Sequence, residues 1–245
     1  MRDKLCVGLL AAMAGGYLLR RQGTRWGATD EEVHKPLPGD EIVPHPMLET
    51  THTVTIDASA EEIWPWLVQM GHYRAGFYAD PSWWDKYSDK YLKSLTNKEA
   101  EESGYGHREV PSVDRIIPEF QDLKVGDTIL DGPPGTAFFT VRLMVPNRAL
   151  VLYSDSHLRL MVRRSIRENP RYGIYGEFSW AFVLQEKEGR YTRLIVRTRA
   201  NYGPRLYRAL TMPLVLVGGE FFTTRKMLYG IKRRVEAPAR EPVIG

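Results

Sequence analysis

The stretch Glu177 to Ala200, EFSWAFVLQEKEGRYTRLIVRTRA, constrains this chain more than any other. Phe178, Trp180, Phe182 and Leu184 alternate with Ser179, Ala181 and Val183, the two-residue period of a strand with one buried face. Glu188-Gly189 turns the chain, and Leu194, Val196 and Thr198 then oppose Arg193, Arg197 and Arg199 on the next strand. Strands joined by so short a turn pair antiparallel. Upstream, Phe139, Val141, Leu143 and Val145 share one face of a run that ends at the turn Pro146-Asn147-Arg148. Ala149 to Ser154 follows as a nearly continuous apolar strand. Near the start of the domain His52, Val54 and Ile56 alternate with Thr51, Thr53 and Thr55, and Val125-Gly126-Asp127 reads as a turn into another strand. The core of the chain is therefore an antiparallel meander.

Helices bracket it. Ser59 and Glu62 form a capping box ahead of Ile63, Trp64, Leu67 and Met70, and Pro65 predicts a kink or break at that position. A second short helix is expected near Pro81 to Leu95. A long helix is expected to open at Gly203-Pro204 and to run on an apolar stripe through Leu210, Leu214, Val217, Phe221, Leu228, Ile231 and Val235. Thr224 fills the one gap in that stripe. Between Gly23 and Pro46 the chain is rich in proline, glycine and acids, with Thr29 and Glu32 able to cap one helical turn. Trp26, Ile42 and Val43 in this spacer favour burial, so it is expected to lie on the domain.

The 245 residues suffice for one large core, and a 43% hydrophobic and 26% charged composition excludes general disorder. Net charge is +4, but no nucleic-acid motif accompanies it, so nucleic acid is not expected as a partner. The single cysteine, Cys6, excludes an intramolecular disulfide framework. Residues Leu5 to Leu19 carry no charge and are flanked by Arg2, Lys4, Arg20, Arg21 and Arg25. As a helix they span roughly 22 Å, short of a ~30 Å hydrocarbon core unless flanking residues snorkel. A signal anchor, a cleaved signal peptide and a helix packed on the domain all fit this segment; the anchor reading leads. The basic bias of its C-terminal flank places the main domain in the cytoplasm, with a soluble cytoplasmic protein as the alternative.

No diagnostic catalytic spacing is present: no phosphate-binding glycine loop, no H-E-x-x-H, no G-x-S-x-G. The histidines, His34, His45, His52, His72, His107 and His157, are scattered, and neither a metal site nor a cofactor is expected. His52 reads as a core histidine with satisfied partners. Glu177 either faces water or projects inward as a candidate acid or base. Arg193, Arg197 and Arg199 are expected to face water if Leu194 and Val196 face the helix; the other reading turns them inward to cradle an anionic headgroup.

Four stretches carry a family resemblance: RWGATDEEVHKPLPGDE (25–41), TIDASAEEIWPWLVQMG (55–71), DRIIPEFQDLKVGDTI (114–129) and MLYGIKRR (227–234). With the element order they make the chain resemble an uncharacterised bacterial branch of the SRPBCC, or START-like, superfamily, which holds lipid-transfer proteins and polyketide cyclase/dehydratases. The resemblance implies an α+β helix-grip fold: a curved antiparallel sheet wrapped around the C-terminal helix, with two short helices after the first strand. With the composition along the chain, the expected division is residues 1–22 as an apolar helix, 23–49 as the spacer, 50–236 as the helix-grip domain and 237–245 as a tail. The resemblance further implies an internal cavity for a lipid-like or other hydrophobic molecule, in a monomer. Its expected lining is Trp64, Trp66, Tyr78, Phe139, Val141, Trp180, Phe182, Leu214, Val217 and Phe221, with no catalytic group. The alternative is a cyclase/dehydratase-type enzyme in which Glu177, His72 or Tyr78 moves protons.

Overall fold

The computed structural model describes residues 22–79, 112–132, 135, 137–157, 164, 168–203 and 220–237. In chain order these form α1 (Asp30–His34), β1 (Leu48–Asp57), α2 (Ala60–Val68), β2 (Thr128–Leu130), β3 (Phe138–Val145), β4 (Ala149–Ser154), β5 (Tyr175–Glu186), β6 (Tyr191–Gly203) and α3 (Phe221–Glu236). The strands make one six-stranded antiparallel sheet in the order β1-β6-β5-β4-β3-β2. The sheet's concave face closes on α2 and α3, and this is the α+β helix grip. The helix expected near Pro81 to Leu95 and the first half of the C-terminal helix lie outside the described residues.

Alternation decides what each face of the sheet meets, except in β3, where a bulge between Val141 and Leu143 turns Leu143 and Val145 off the face of Phe139 and Val141 and brings Met144 to the core instead. Val54, Ile56, Leu150, Leu152, Phe182, Leu184, Leu194 and Val196 share one core with Ile63 and Leu67 of α2 and with Met227, Leu228 and Ile231 of α3. Both capping boxes read from the sequence are present, Thr29 with Glu32 and Ser59 with Glu62. Pro65 does not break α2, which continues through it to Val68. The helix ends within one turn of the proline, so only one intrahelical donor is lost, and the Gln69 N–H still reaches the Pro65 carbonyl at 3.3 Å.

The arginines of β6 do not face water. They point to the convex face, away from the core, but the segment Gly27 to Pro44 covers them. Arg197 is 2% exposed. Its Nε donates to Thr51 Oγ1, its Nη1 to the Lys35 carbonyl and Asp40 Oδ2, and its Nη2 to the carbonyls of Glu32 and Val33. Every guanidinium N–H is thereby used, and three of the acceptors are carbonyls at the C-terminal end of α1 that the helix itself leaves open. Arg193 grips Glu32 with two hydrogen bonds, of 2.8 and 2.6 Å. Arg199 donates to the carbonyls of Val43 and Pro44. Alternation places these cations on the outer face correctly; what it cannot supply is the acidic segment that buries them.

The loop after α2 is assembled around a second buried polar hub. Gln69 donates to the Tyr78 hydroxyl (2.9 Å) and the Arg115 carbonyl (3.1 Å), and accepts from the Ile117 N–H (2.9 Å). Tyr78 adopts φ 59° and donates its hydroxyl to the Trp66 carbonyl. Gly230 of α3 packs directly on that turn, where a Cβ would lie 1.9 Å from the Tyr78 carbonyl oxygen.

Two outcomes are expected. Arg197→Ala leaves the open α1 carbonyls without their donor and removes one of the two arginines paired with Asp40, which keeps Arg199, and urea unfolding should read a loss of about 3–5 kcal/mol. For Glu32, burial alone would raise the carboxyl, but hydrogen bonds from Arg193 and Thr29 outweigh it and hold the group below its ordinary 4.5. A carboxylate depressed on folding stabilises the fold above the unfolded value and stops doing so as pH falls through the folded one. Unfolding measured below pH 4.5 should therefore show a steeper acid loss in the native protein than in Glu32→Gln, which is already weaker at neutral pH.

Candidate functional site

The concave face is organised in rows by strand register. One row runs Thr50, Thr198, Trp180, Leu152 and Val141 across β1, β6, β5, β4 and β3. The adjacent row runs Ala200, Phe178 and Ser154. Phe139, Phe178, Trp180, Phe182 and Phe77 form a continuous aromatic wall along these rows. Trp180 lies 4.9 Å from Phe182, 5.5 Å from Phe139 and 6.1 Å from Phe77, and Phe139 meets Phe178 edge-on at 5.5 Å.

Two polar clusters end this wall. At the β4 end, His157 stands between Phe139 and Phe178, each 4.8 Å away. Its Nε2 meets Asp131 Oδ2 at 2.8 Å, and its Nδ1 meets Ser154 Oγ at 2.6 Å. An ionised carboxylate only accepts, so Nε2 carries the proton that faces Asp131. Ser154 Oγ also accepts from the Ser156 N–H at 3.1 Å. His72 contributes to the same end: burial depresses its imidazole, and the Asp131 charge opposes that shift only in part, so it stays neutral at neutral pH.

At the β1 end, Glu220 precedes α3 and receives a ring of donors. Thr50, Thr198 and Thr224 hydroxyls reach Oε1 at 2.9, 3.1 and 3.2 Å, and His52 Nε2 reaches Oε2 at 3.1 Å. The Trp26 N–H occupies His52 Nδ1 at 3.2 Å and so sets the Nε2–H tautomer. Thr50 and Thr198 are direct cross-strand partners. This cluster ties the first turn of α3 to the sheet.

The sequence-derived lining divides accordingly. Phe139, Val141, Trp180 and Phe182 are brought together on the concave face. Trp64 and Trp66 are buried in the same core, Trp66 edge-on to Tyr78 at 5.8 Å. Tyr78 is fully buried with its hydroxyl committed to Gln69 and to the Trp66 carbonyl, and burial pushes its pKa well above the ordinary tyrosine range. Phe221 is half-buried beside His52 at 5.8 Å. Leu214 and Val217 lie outside the described residues. Glu177 sits on the convex face, not in the site: it accepts from the Tyr153 hydroxyl at 2.9 Å, and Tyr153 is pushed up to about 12 by burial and this carboxylate. Ser154, His157, Asp131 and Glu220 escaped the sequence reading. The available signals were the parity of Ser154 with Leu150 and Leu152, and Glu220 one turn before the polar gap at Thr224. Among the described residues no cluster of His, Cys, Asp and Glu is arranged to hold a metal ion, and no helix is long and apolar enough to cross a membrane.

No protein-family model matches the chain, and no curated protein matches it. Solved structures do. A protein from Nitrosospira multiformis is 12% identical, covering 79% of this chain and 100% of its own, with a TM-score of 0.43. Truncated norcoclaurine synthase from Thalictrum flavum is 13% identical, covering 78% and 94%, at 0.40. The Aha1 dimer from Colwellia psychrerythraea is 16% identical, covering 78% and 97%, at 0.36.

Glu220→Ala should leave His52 and three hydroxyls without their shared acceptor. Hydrogen exchange is expected to quicken in the first turn of α3 and not at its C-terminal end, with a stability loss of about 1–3 kcal/mol.

Proposed function

We propose that this chain binds a lipid-like or other hydrophobic small molecule between the concave sheet face and α3, for transport or sensing and without chemistry on it. The observation that carries this is the wall of Phe139, Phe178, Trp180 and Phe182, with polar clusters, among the described residues, at its two ends. An apolar surface with few convergent polar groups is the usual form of a small-molecule site. The aromatic rings would cover the body of the ligand, and His157 and Asp131 would orient a polar head. The resemblance of its four sequence stretches to a bacterial branch of the START-like superfamily supports the same reading. Leu5 to Leu19 would tether the domain to a membrane on its cytoplasmic side.

A second reading, an enzyme acting on a hydrophobic substrate, draws on the chain Asp131, His157, Ser154. A carboxylate that fixes the imidazole by one nitrogen while the other meets a hydroxyl is an arrangement suited to moving a proton.

Extraction of the purified protein with organic solvent and mass spectrometry of what is released tests both. The carrier reading expects a stoichiometric hydrophobic compound, retained by His157→Asn and bound about tenfold more weakly, or ~1.4 kcal/mol, by Phe139→Ala or Trp180→Ala. An empty protein that also fails to bind a fluorescent fatty acid would end it. Turnover of the released compound that His157→Asn abolishes would establish the enzyme.

A further inference from the structure

The charges of this protein are divided unevenly between the two faces of its sheet. Net charge is +4, yet the arginines of β6 lie on the convex face and are taken up by the cover there. Both polar clusters that end the aromatic wall on the concave face are built on a carboxylate, Glu220 at one end and Asp131 at the other. Among the described residues, neither carboxylate pairs with a lysine or an arginine.

Glu220 shows what this leaves undone. Three threonine hydroxyls share its Oε1, and His52 Nε2–H alone reaches Oε2. All four donors are neutral: the hydroxyls carry no charge, and a His52 Nδ1 that accepts the Trp26 N–H holds no second proton. The carboxylate is thus hydrogen-bonded but keeps its unit charge, and Oε2 keeps room for a further donor. Such a charge, largely withdrawn from water, is stabilised by a cation. The site is also reachable. The Glu220 side chain is 13% exposed, and Thr198, which holds it, pairs across the sheet with Trp180. Trp180 keeps 9% of its surface and Thr198 6%, whereas Val196, Phe182 and Leu150 in the row beside them keep none. The exposed part of the wall therefore borders the carboxylate, and an indole face attracts cations as well as apolar groups.

We infer that the hydrophobic molecule held by the wall carries a protonated amine, with the ammonium against Glu220 Oε2 and beside the Trp180 ring. The inference rests on the reading of the concave face as a ligand site and adds the charge and orientation of what it holds. A carboxylate ligand would bring a second anion to Glu220, and an alcohol would supply a hydrogen bond without the charge. A charge-assisted hydrogen bond exceeds a neutral one, so an amine should bind roughly ten- to a hundredfold more tightly than the alcohol of equal chain length.

Calorimetric titration of the full chain with dodecylamine, dodecanol and dodecanoate, each below its aggregation threshold, separates charge from shape. The expected order is amine, then alcohol, then carboxylate. A protein of net charge +4 attracts carboxylates without any site, so non-specific attraction would give the reverse. Glu220→Gln is expected to bring the amine down to the affinity of the alcohol, with circular dichroism as the control for folding; if that variant does not fold, the order in the native protein still decides. Lysophosphatidylethanolamine beside the free amine tells a lipid headgroup from a simple amine, and tighter binding of either one that Glu220→Gln removes supports the ammonium. Alcohol bound as tightly as amine would overturn the ammonium and keep the carrier. An amine preference that survives Glu220→Gln and is lost in Asp131→Asn would move the cation to the other end of the wall and overturn the assignment to Glu220. No binding of any of these compounds would overturn the carrier reading and this inference with it.

Discussion

A guanidinium taken out of water on the convex face of the sheet sets the terms for much of this fold. Arg197 is 2% exposed, and a charge so placed must find all its partners at once or unfold what covers it. It finds them in a segment 157 positions away, at Asp40, and in the open carbonyls of α1. The acid-rich stretch ahead of β1 is thus a fitted cover. It seals the outer face, while Leu37 packs on Val183 and Ile195 beneath it. The concave side is left to α2 and α3.

The stretches that carry the family resemblance meet one another in this scaffold. The first covers the arginines of β6 and stacks Trp26 on Tyr229 of the fourth. The second and third are joined by Gln69, which reaches Arg115 and Ile117. The third and fourth meet where Arg234 donates to the Val113 carbonyl and pairs with Asp114 at 3.0 Å. The aromatic wall lies outside all four. A sequence signature built from such residues identifies a way of closing the grip and leaves its contents open, which is why a fold can be read here so much further than a ligand.

Local rules were readable wherever the physics is local. A serine or threonine three residues before a glutamate at a helix start closes a capping box within one turn, and Thr29 and Ser59 both do so. A two-residue period buries one face, and the rows of Phe178, Trp180 and Phe182 follow it. Pro65 was legible as a lost donor, but its effect on a helix that ends three residues later was not. The relay of Asp131, His157 and Ser154 was not legible either. His157 follows β4 while Asp131 follows β2, and nothing in either neighbourhood announces that β3 lies between them and brings them together.

By itself, then, the sequence determined the strands, the antiparallel pairing of consecutive ones and the capped helix starts, because each depends on neighbours a few residues apart; the β1–β6 pairing and the bulge that turns Leu143 and Val145 off the face of Phe139 and Val141 do not. Only the tertiary structure decided that the β6 arginines are buried under an acidic cover, that Tyr78 is spent on the Trp66 carbonyl, that Glu177 lies on the wrong face for chemistry, and that Glu220 gathers His52 and three threonines. Those outcomes depend on charges and hydroxyls finding partners across the fold. A buried polar group needs such a partner, and the sequence does not say which distant segment will supply it.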